Sequence, residues 1–231
     1  MRKQKKRIIT WMTMAIFVIV AVIAAYGMIT APKKNTLSGK ILEEELKQNQ
    51  IYLQQVQNSR NTGDEMDNLY ADQMQTTKGI TVVGDSVALG AAQALCETLP
   101  NCNVDAEESR QVISTVEILK KLDDEGSLGQ IVVLSLGTNG YFYESTGQEI
   151  IDYLGPERDI YWINVYGKYL QSHYTTNEVI ANLASKNSNV TLIDWNTEGE
   201  KYPDWFYEDG IHLNETGQLG FAEFILKNLN L

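Results

Sequence analysis

At 231 residues and 43% hydrophobic content, the chain is long enough to bury a full core, and one main domain is the expected count. Seven of its 19 Lys and Arg and none of its 30 Asp and Glu fall within residues 1–34, so the remainder carries 12 against 30, a net charge of −18. A body this acidic argues against a nucleic-acid partner. Two histidines with no His-x-x-x-His or Cys-x-x-Cys pair argue against a zinc site, so no metal is expected.

In chain order, residues 1–7 carry Arg2, Lys3, Lys5, Lys6 and Arg7. Residues 8–30 hold no charge and are mostly apolar. A stretch of 23 residues, at ~1.5 Å per residue, crosses a bilayer core of ~30 Å. Trp11 and Tyr26 lie near its two ends, as interfacial aromatics do. The basic flank stays cytoplasmic by the positive-inside rule, which places everything after the span outside. A cleaved signal peptide is the rival reading, but its apolar region runs only ~7–15 residues. The expectation is a single-pass, uncleaved anchor at residues 8–30, with a cytoplasmic segment at 1–7.

Residues 31–78 are polar and rich in Gln, Asn and Glu. Within them Leu42, Leu46, Leu53 and Val56 fall on heptad spacing, with Asn49 in the gap. Two heptads are too few for a coiled coil. The segment reads as a partly helical stalk that holds the following domain off the membrane.

The globular part is expected over residues 79–231. Five short apolar runs, at 80–83, 104–106, 131–136, 160–165 and 190–193, alternate with helical patterns. Val112, Val116 and Leu119 share one helical face; Val179, Ile180 and Leu183 another; Ala222, Ile225, Leu226 and Leu229 a third. Strand and helix in alternation imply a parallel sheet covered by helices on both faces. The only two cysteines, Cys96 and Cys102, either close a small disulfide or are two small thiols in the core.

Active sites in open α/β sheets lie beyond the carboxyl ends of the strands. Three polar segments fall there: Gly84-Asp85-Ser86, Gly137-Thr138-Asn139-Gly140, and Asp209-Gly210-Ile211-His212. A serine hydroxyl is a poor nucleophile without an adjacent base, and histidine titrates near working pH. The histidine in turn needs an acceptor to fix its tautomer. Asp209, three residues before His212, supplies one from the same loop. An acyl-transfer intermediate needs donors for its oxyanion, and the Ser86 N–H and the Asn139 amide are candidates. Taken singly, Ser86 reads equally as a helix cap, Asn139 as a cap near Thr146, and His212 as a structural histidine.

The three segments together, in this order, resemble the SGNH/GDSL hydrolase superfamily. The resemblance covers roughly residues 79–231. It implies a flavodoxin-like three-layer α/β/α fold with a five-stranded parallel sheet, a Ser86–His212–Asp209 triad and no cofactor. It also implies an oxyanion hole from Ser86, a second-block residue and Asn139. That second block normally offers a glycine. Here Ser109 takes its place in Asp105-Ala106-Glu107-Glu108-Ser109-Arg110-Gln111. Gly137, Arg110 and Tyr141 are the expected substrate-binding residues. The α/β-hydrolase elbow is a poorer match, because Ala88 stands where its second glycine belongs.

The Asp-Ala-x-x-x-Arg-Gln segment is similar to the extracytoplasmic catalytic domain of bacterial peptidoglycan O-acetyltransferases. In those proteins the domain follows a multi-helix membrane acyltransferase. The resemblance therefore implies a cell-envelope enzyme that moves acetyl groups from an O-acetylated donor to a glycan acceptor. With a single span in this chain, it also implies a separate multi-span membrane protein as partner. Hydrolysis of O-acetylated carbohydrate or of other esters uses the same triad, and a non-catalytic scaffold is the third alternative. Trp162, Tyr166, Tyr169, Trp205 and Tyr207 either line a sugar-binding cleft or belong to the core. His173 reads as a surface-loop residue, and Glu107 and Glu108 as solvated.

Overall fold

A computed structural model of the chain describes residues 36–60 and 79–231. The predicted span at 8–30 lies outside the described residues. Among the described residues no helix is long and apolar enough to cross a membrane.

Among the described residues five strands form one sheet: β1 (Ile80–Gly84), β2 (Cys102–Ala106), β3 (Ile131–Ser135), β4 (Asp159–Ile163) and β5 (Val190–Ile193). Their order is β2-β1-β3-β4-β5 and every pairing is parallel. This is the order of flavodoxin-like doubly wound sheets. Each predicted apolar run lies on a strand, to within two residues at its ends.

Every residue of β1, β2 and β3 is buried. Covered on both faces, these strands need no polar alternation, and the apolar runs are continuous. One face carries Ile80, Val82, Ile131 and Val133. Helices α2 (Ser86–Gly90), α3 (Ala92–Thr98) and the C-terminal α8 (Glu215–Asn228) pack on it through Leu89, Leu95, Phe221 and Ile225. The other face carries Val83, Val132, Leu134 and Trp162. Against it lie α4 (Thr115–Asp124), α5 (Glu144–Leu154) and α6 (His173–Lys186), through Leu119, Ile150 and Leu183. One short helix, α7 (Trp195–Lys201), follows β5.

The first described helix, α1 (Leu37–Arg60), departs from the stalk expectation. The described residues from Lys40 onward form one compact unit, so most of α1 belongs with the globular part. Leu46 and Leu53 are buried in the α2–α3–α8 core, with Leu42 and Tyr52 packed against it. Asn49, buried between them, donates from Nδ2 to the Gly90 carbonyl at 2.8 Å. The heptad pattern is therefore a seam against the domain, not a coiled-coil seam. Periodicity reports that a stripe is covered, but not by what.

The two alternatives for the cysteines resolve, and the reading of His173 changes. Cys96 is half-buried on α3, Cys102 is buried at the start of β2, and no disulfide joins them. Both side chains occupy positions in or against the apolar core, which is the thiol reading of the pair. His173 is buried rather than on a surface loop, because it opens α6; its Nδ1 meets the Leu170 carbonyl and its ring packs on Tyr174.

Leu53→Ala is expected to lower the unfolding free energy by about 2–4 kcal/mol, as for a buried leucine. Urea titration of the full chain checks this. A helix standing away from the domain would show no such loss.

Candidate active site

β1, β2 and β3 end in register, with Gly84 opposite both Ala106 and Ser135. The chain leaving β1 turns at once into α2. Gly84 permits this close turn: a Cβ there would sit 2.2 Å from the Ala88 Cβ. Asp85, not Ser86, is the helix cap, and its Oδ1 accepts the Val87 N–H at 3.1 Å. Ser86 is therefore the first helical residue, with its hydroxyl available for another partner.

Asp85 is fully buried and joins two loops. Its N–H donates to the Ser135 carbonyl at 3.0 Å, and its Oδ2 accepts the Thr138 N–H at 3.2 Å. The loop after β3 is thereby tied to the serine turn. Burial pushes the Asp85 carboxyl above its ordinary value, against the opposing N–H bonds of Val87 and Thr138.

The histidine arrives on a short hairpin. Phe206 and Leu213 form an antiparallel bridge, and inside it the Tyr207 N–H donates to the His212 carbonyl at 2.8 Å. Gly210 closes the turn at φ +67°, a left-handed conformation that favours glycine, and its N–H donates to the Tyr207 carbonyl. Asp209 Oδ1 accepts the N–H groups of Ile211 at 2.9 Å and His212 at 3.0 Å. Its Oδ2 is 2.7 Å from His212 Nδ1, and His212 Nε2 is 2.9 Å from Ser86 Oγ. Carboxylate, imidazole and hydroxyl thus form one continuous hydrogen-bonded chain. Burial by itself would raise the Asp209 carboxyl; the bond and charge of His212 with the two N–H groups outweigh it and hold the carboxyl below its ordinary value.

The second block lies beside this chain. Ser109 is exposed and adopts φ +63°. A left-handed position is where a glycine is easiest, which is the physical reason a glycine suits this place. The Asn139 amide donates to the Arg110 carbonyl at 3.2 Å, and Gln111 Nε2 donates to the Asn139 carbonyl at 3.2 Å. These bonds hold the second block against the Gly137–Gly140 loop. Asn139 caps no helix, since α5 is preceded by Tyr143 at the cap position.

The expected substrate-binding residues separate. Arg110 is turned inward: Nη1 donates to the Asp105 carbonyl at 2.6 Å and Nη2 pairs with Asp105 Oδ1 at 2.5 Å. Its guanidinium buttresses the end of β2, so the expectation of a substrate contact is corrected. Gly137 is buried at φ +124°, where a Cβ would meet Thr176 Cγ2 at 2.8 Å; it shapes the loop from within. Tyr141 is exposed, edge-to-face with Tyr143.

The aromatic set also divides. Trp162 is wholly buried and stacked on Phe142, and Trp205 stacks on Tyr202 and packs over Gly217 and Gly220. Both belong to the core and its margin. Tyr166, Tyr169 and Tyr207, joined by Phe206, Lys168, Glu208 and Gly210, line an open groove of about 310 Å³ along the hairpin. Among the described residues no cluster of His, Cys, Asp and Glu is arranged to hold a metal ion.

No family model matches the chain. A stretch of 151 residues is 32% identical to the O-acetyltransferase OatA of Staphylococcus aureus, covering 64% of this chain. The chain spans about a quarter of that relative's length. Among solved structures, the C-terminal catalytic domain of Streptococcus pneumoniae peptidoglycan O-acetyltransferase A superposes with a TM-score of 0.58 at 24% identity, over 65% of this chain and 91% of that one. A lipolytic protein of the G-D-S-L family from Veillonella parvula gives 0.54 at 17% identity, over 66% and 99%. The domain has the SGNH/GDSL hydrolase fold. The resemblance read from three short SGNH/GDSL motifs thus extends to a long stretch of sequence and to the fold.

Sequence reasoning missed the part played by Asp85, whose place in the Gly-Asp-Ser motif was visible but whose tie to Thr138 was not. It also missed every contact made by α1. An acidic titration reads the Asp209 bonds. A carboxyl held below its unfolded value stabilises the fold above that value, about 3.9, and the contribution is lost as pH falls through the folded one. The stability difference between the wild-type chain and Asp209→Asn is therefore largest above about pH 4 and shrinks on acidification. Urea midpoints between pH 2 and 6 measure it.

Proposed function

We propose that this chain is a membrane-anchored serine acyl-transfer enzyme of the cell envelope, moving acetyl groups onto hydroxyls of cell-wall glycan. The single observation that carries the reading is the Asp209–His212–Ser86 hydrogen-bonded chain at the rim of an SGNH/GDSL fold. The sequence likeness to an O-acetyltransferase supports the acetyl group as cargo.

Ser86 Oγ attacks the carbonyl carbon of an O-acetylated donor while His212 Nε2 takes the hydroxyl proton. Asp209 holds the ring by Nδ1 and offsets the charge of the imidazolium. The tetrahedral intermediate collapses: the donor C–O bond breaks, the leaving alcohol takes the proton from His212, and acetyl-Ser86 remains. An acceptor sugar hydroxyl then gives its proton to His212 and attacks the acetyl carbon; the bond from that carbon to Ser86 Oγ breaks, and Oγ takes the proton back from His212. The oxyanion faces the Ser86 and Ser109 N–H groups and the Asn139 amide. The amide carries two N–H groups and the Arg110 carbonyl takes one, which leaves the second for the oxyanion.

The groove of Tyr166, Tyr169, Phe206 and Tyr207 supports a place for the acceptor. Aromatic faces stack on the apolar faces of sugar rings, and this groove runs along the hairpin that carries Asp209 and His212. Residues 1–7 as a cytoplasmic segment and 8–30 as the anchor put the domain outside the membrane, where the glycan is. A separate multi-span membrane acyltransferase would supply the acetyl group there.

The full chain incubated with an activated acetyl ester and a chitooligosaccharide is expected to give acetylated sugar, and Ser86→Ala to give none. Acetate as the sole product would make it an esterase. Undiminished turnover by Ser86→Ala would sink the triad. Tyr169→Ala is expected to raise KM for the oligosaccharide about tenfold while ester turnover without acceptor stays unchanged.

A further inference from the structure

Helix α1 touches both halves of the candidate site. Toward the serine, Asn49 holds the Gly90 carbonyl at the end of α2, and Leu46 lies against Gly90. Toward the histidine, one carboxylate does the joining. Glu45 Oε2 accepts the Tyr207 hydroxyl at 2.7 Å, and Glu45 Oε1 accepts Gln218 Nε2 at 2.7 Å.

Those two partners flank His212 in the chain. Tyr207 stands five residues before it and donates its N–H to the His212 carbonyl, while its own carbonyl accepts from Gly210. Gln218 stands six residues after it and also donates to the Leu213 carbonyl at 3.1 Å. The carboxylate therefore grips the hairpin from both sides of the base. Hydrogen bonds to a charged acceptor are about twice as strong as neutral ones. Burial, with Glu45 beside it, pushes the Tyr207 phenol far above its ordinary value, so it stays a donor throughout the neutral range.

We propose that Glu45 is a positioning residue for His212: through Tyr207 and Gln218 it fixes the hairpin, and through α1 it sets the hairpin against the helix that carries Ser86. The proposal rests on the triad reading above. In consequence the catalytic unit begins within α1, about forty residues before β1, and the segment is part of the enzyme rather than a spacer. A misplacement of the base by a fraction of an ångström slows proton transfer without unfolding anything.

The test uses the full chain in detergent, with 4-nitrophenyl acetate as substrate and the rate of fluorophosphonate labelling of Ser86 as a second readout. Glu45→Ala and Tyr207→Phe are each expected to lower kcat about tenfold with KM within about twofold. The double variant falls no further than the worse single one, because both break the same link. Glu45→Gln, whose carbonyl still accepts from Tyr207, recovers most of the loss. Leu53→Ala, more than two turns further along α1, lowers the melting temperature without the loss in kcat. Wild-type kcat and labelling rate in Glu45→Ala, or single losses that add in full, would overturn the positioning role while leaving Ser86 chemistry intact. A wild-type chain that Ser86→Ala does not distinguish, by turnover or by labelling, overturns the triad reading and the positioning role with it.

Discussion

The hydrogen bond between Ser86 Oγ and His212 Nε2 joins residues 126 positions apart, and most of the architecture serves to make it possible. Ser86 opens the helix that follows β1 and His212 sits on a hairpin, both at one rim of the sheet. They share that rim because every strand runs the same way, so every chain leaves the sheet at the same edge. β1 lies between β2 and β3, and the loops from all three converge beside α2. An antiparallel neighbour would have carried its loop to the opposite edge. The apolar bulk of the strands is thus a condition for the chemistry as well as for stability.

Close approach refines what topology brings together. Gly84 lets β1 turn into α2 without a clash, and Gly210 lets the hairpin turn tightly enough for one carboxylate oxygen to collect two N–H groups. The two carboxylates at this rim then take opposite courses. Asp85 is wholly buried and its two N–H bonds do not offset the loss of water, so its carboxyl shifts upward. Asp209 is less deeply set and has an imidazole at 2.7 Å, so its carboxyl shifts downward. A carboxylate that stays charged is the one able to stabilise a protonated imidazole. Asp85 is suited to a different task, tying the β3 loop to the serine turn.

Packing of α1 against this frame changes where the working unit begins. The stripe of Leu42, Leu46, Asn49, Leu53 and Val56 was plain in the sequence, yet its partner was not. A helix seam has the same period whether it faces a second helix or a globular core. Asn49 illustrates the difference. In a coiled coil it would mark a register; here it satisfies a carbonyl at the end of α2. Arg110 was likewise read from its place in a motif, and its direction depended on Asp105, which only the folded β2 end presents to it.

What the sequence determined by itself is set by short-range physics. Continuous apolar runs gave buried parallel strands, amphipathic spacing gave the covering helices, and the Asp-x-x-His spacing gave a carboxylate its histidine within a single turn. What only the tertiary structure decided is set by contacts between distant segments: the Ser86–His212 bond, the inward turn of Arg110, the division of the aromatic residues between core and groove, and the grip of Glu45 on Tyr207 and Gln218. Residue type and spacing fix which groups are able to bond. The partner each one finds follows from where the sheet and its helices place the rest of the chain.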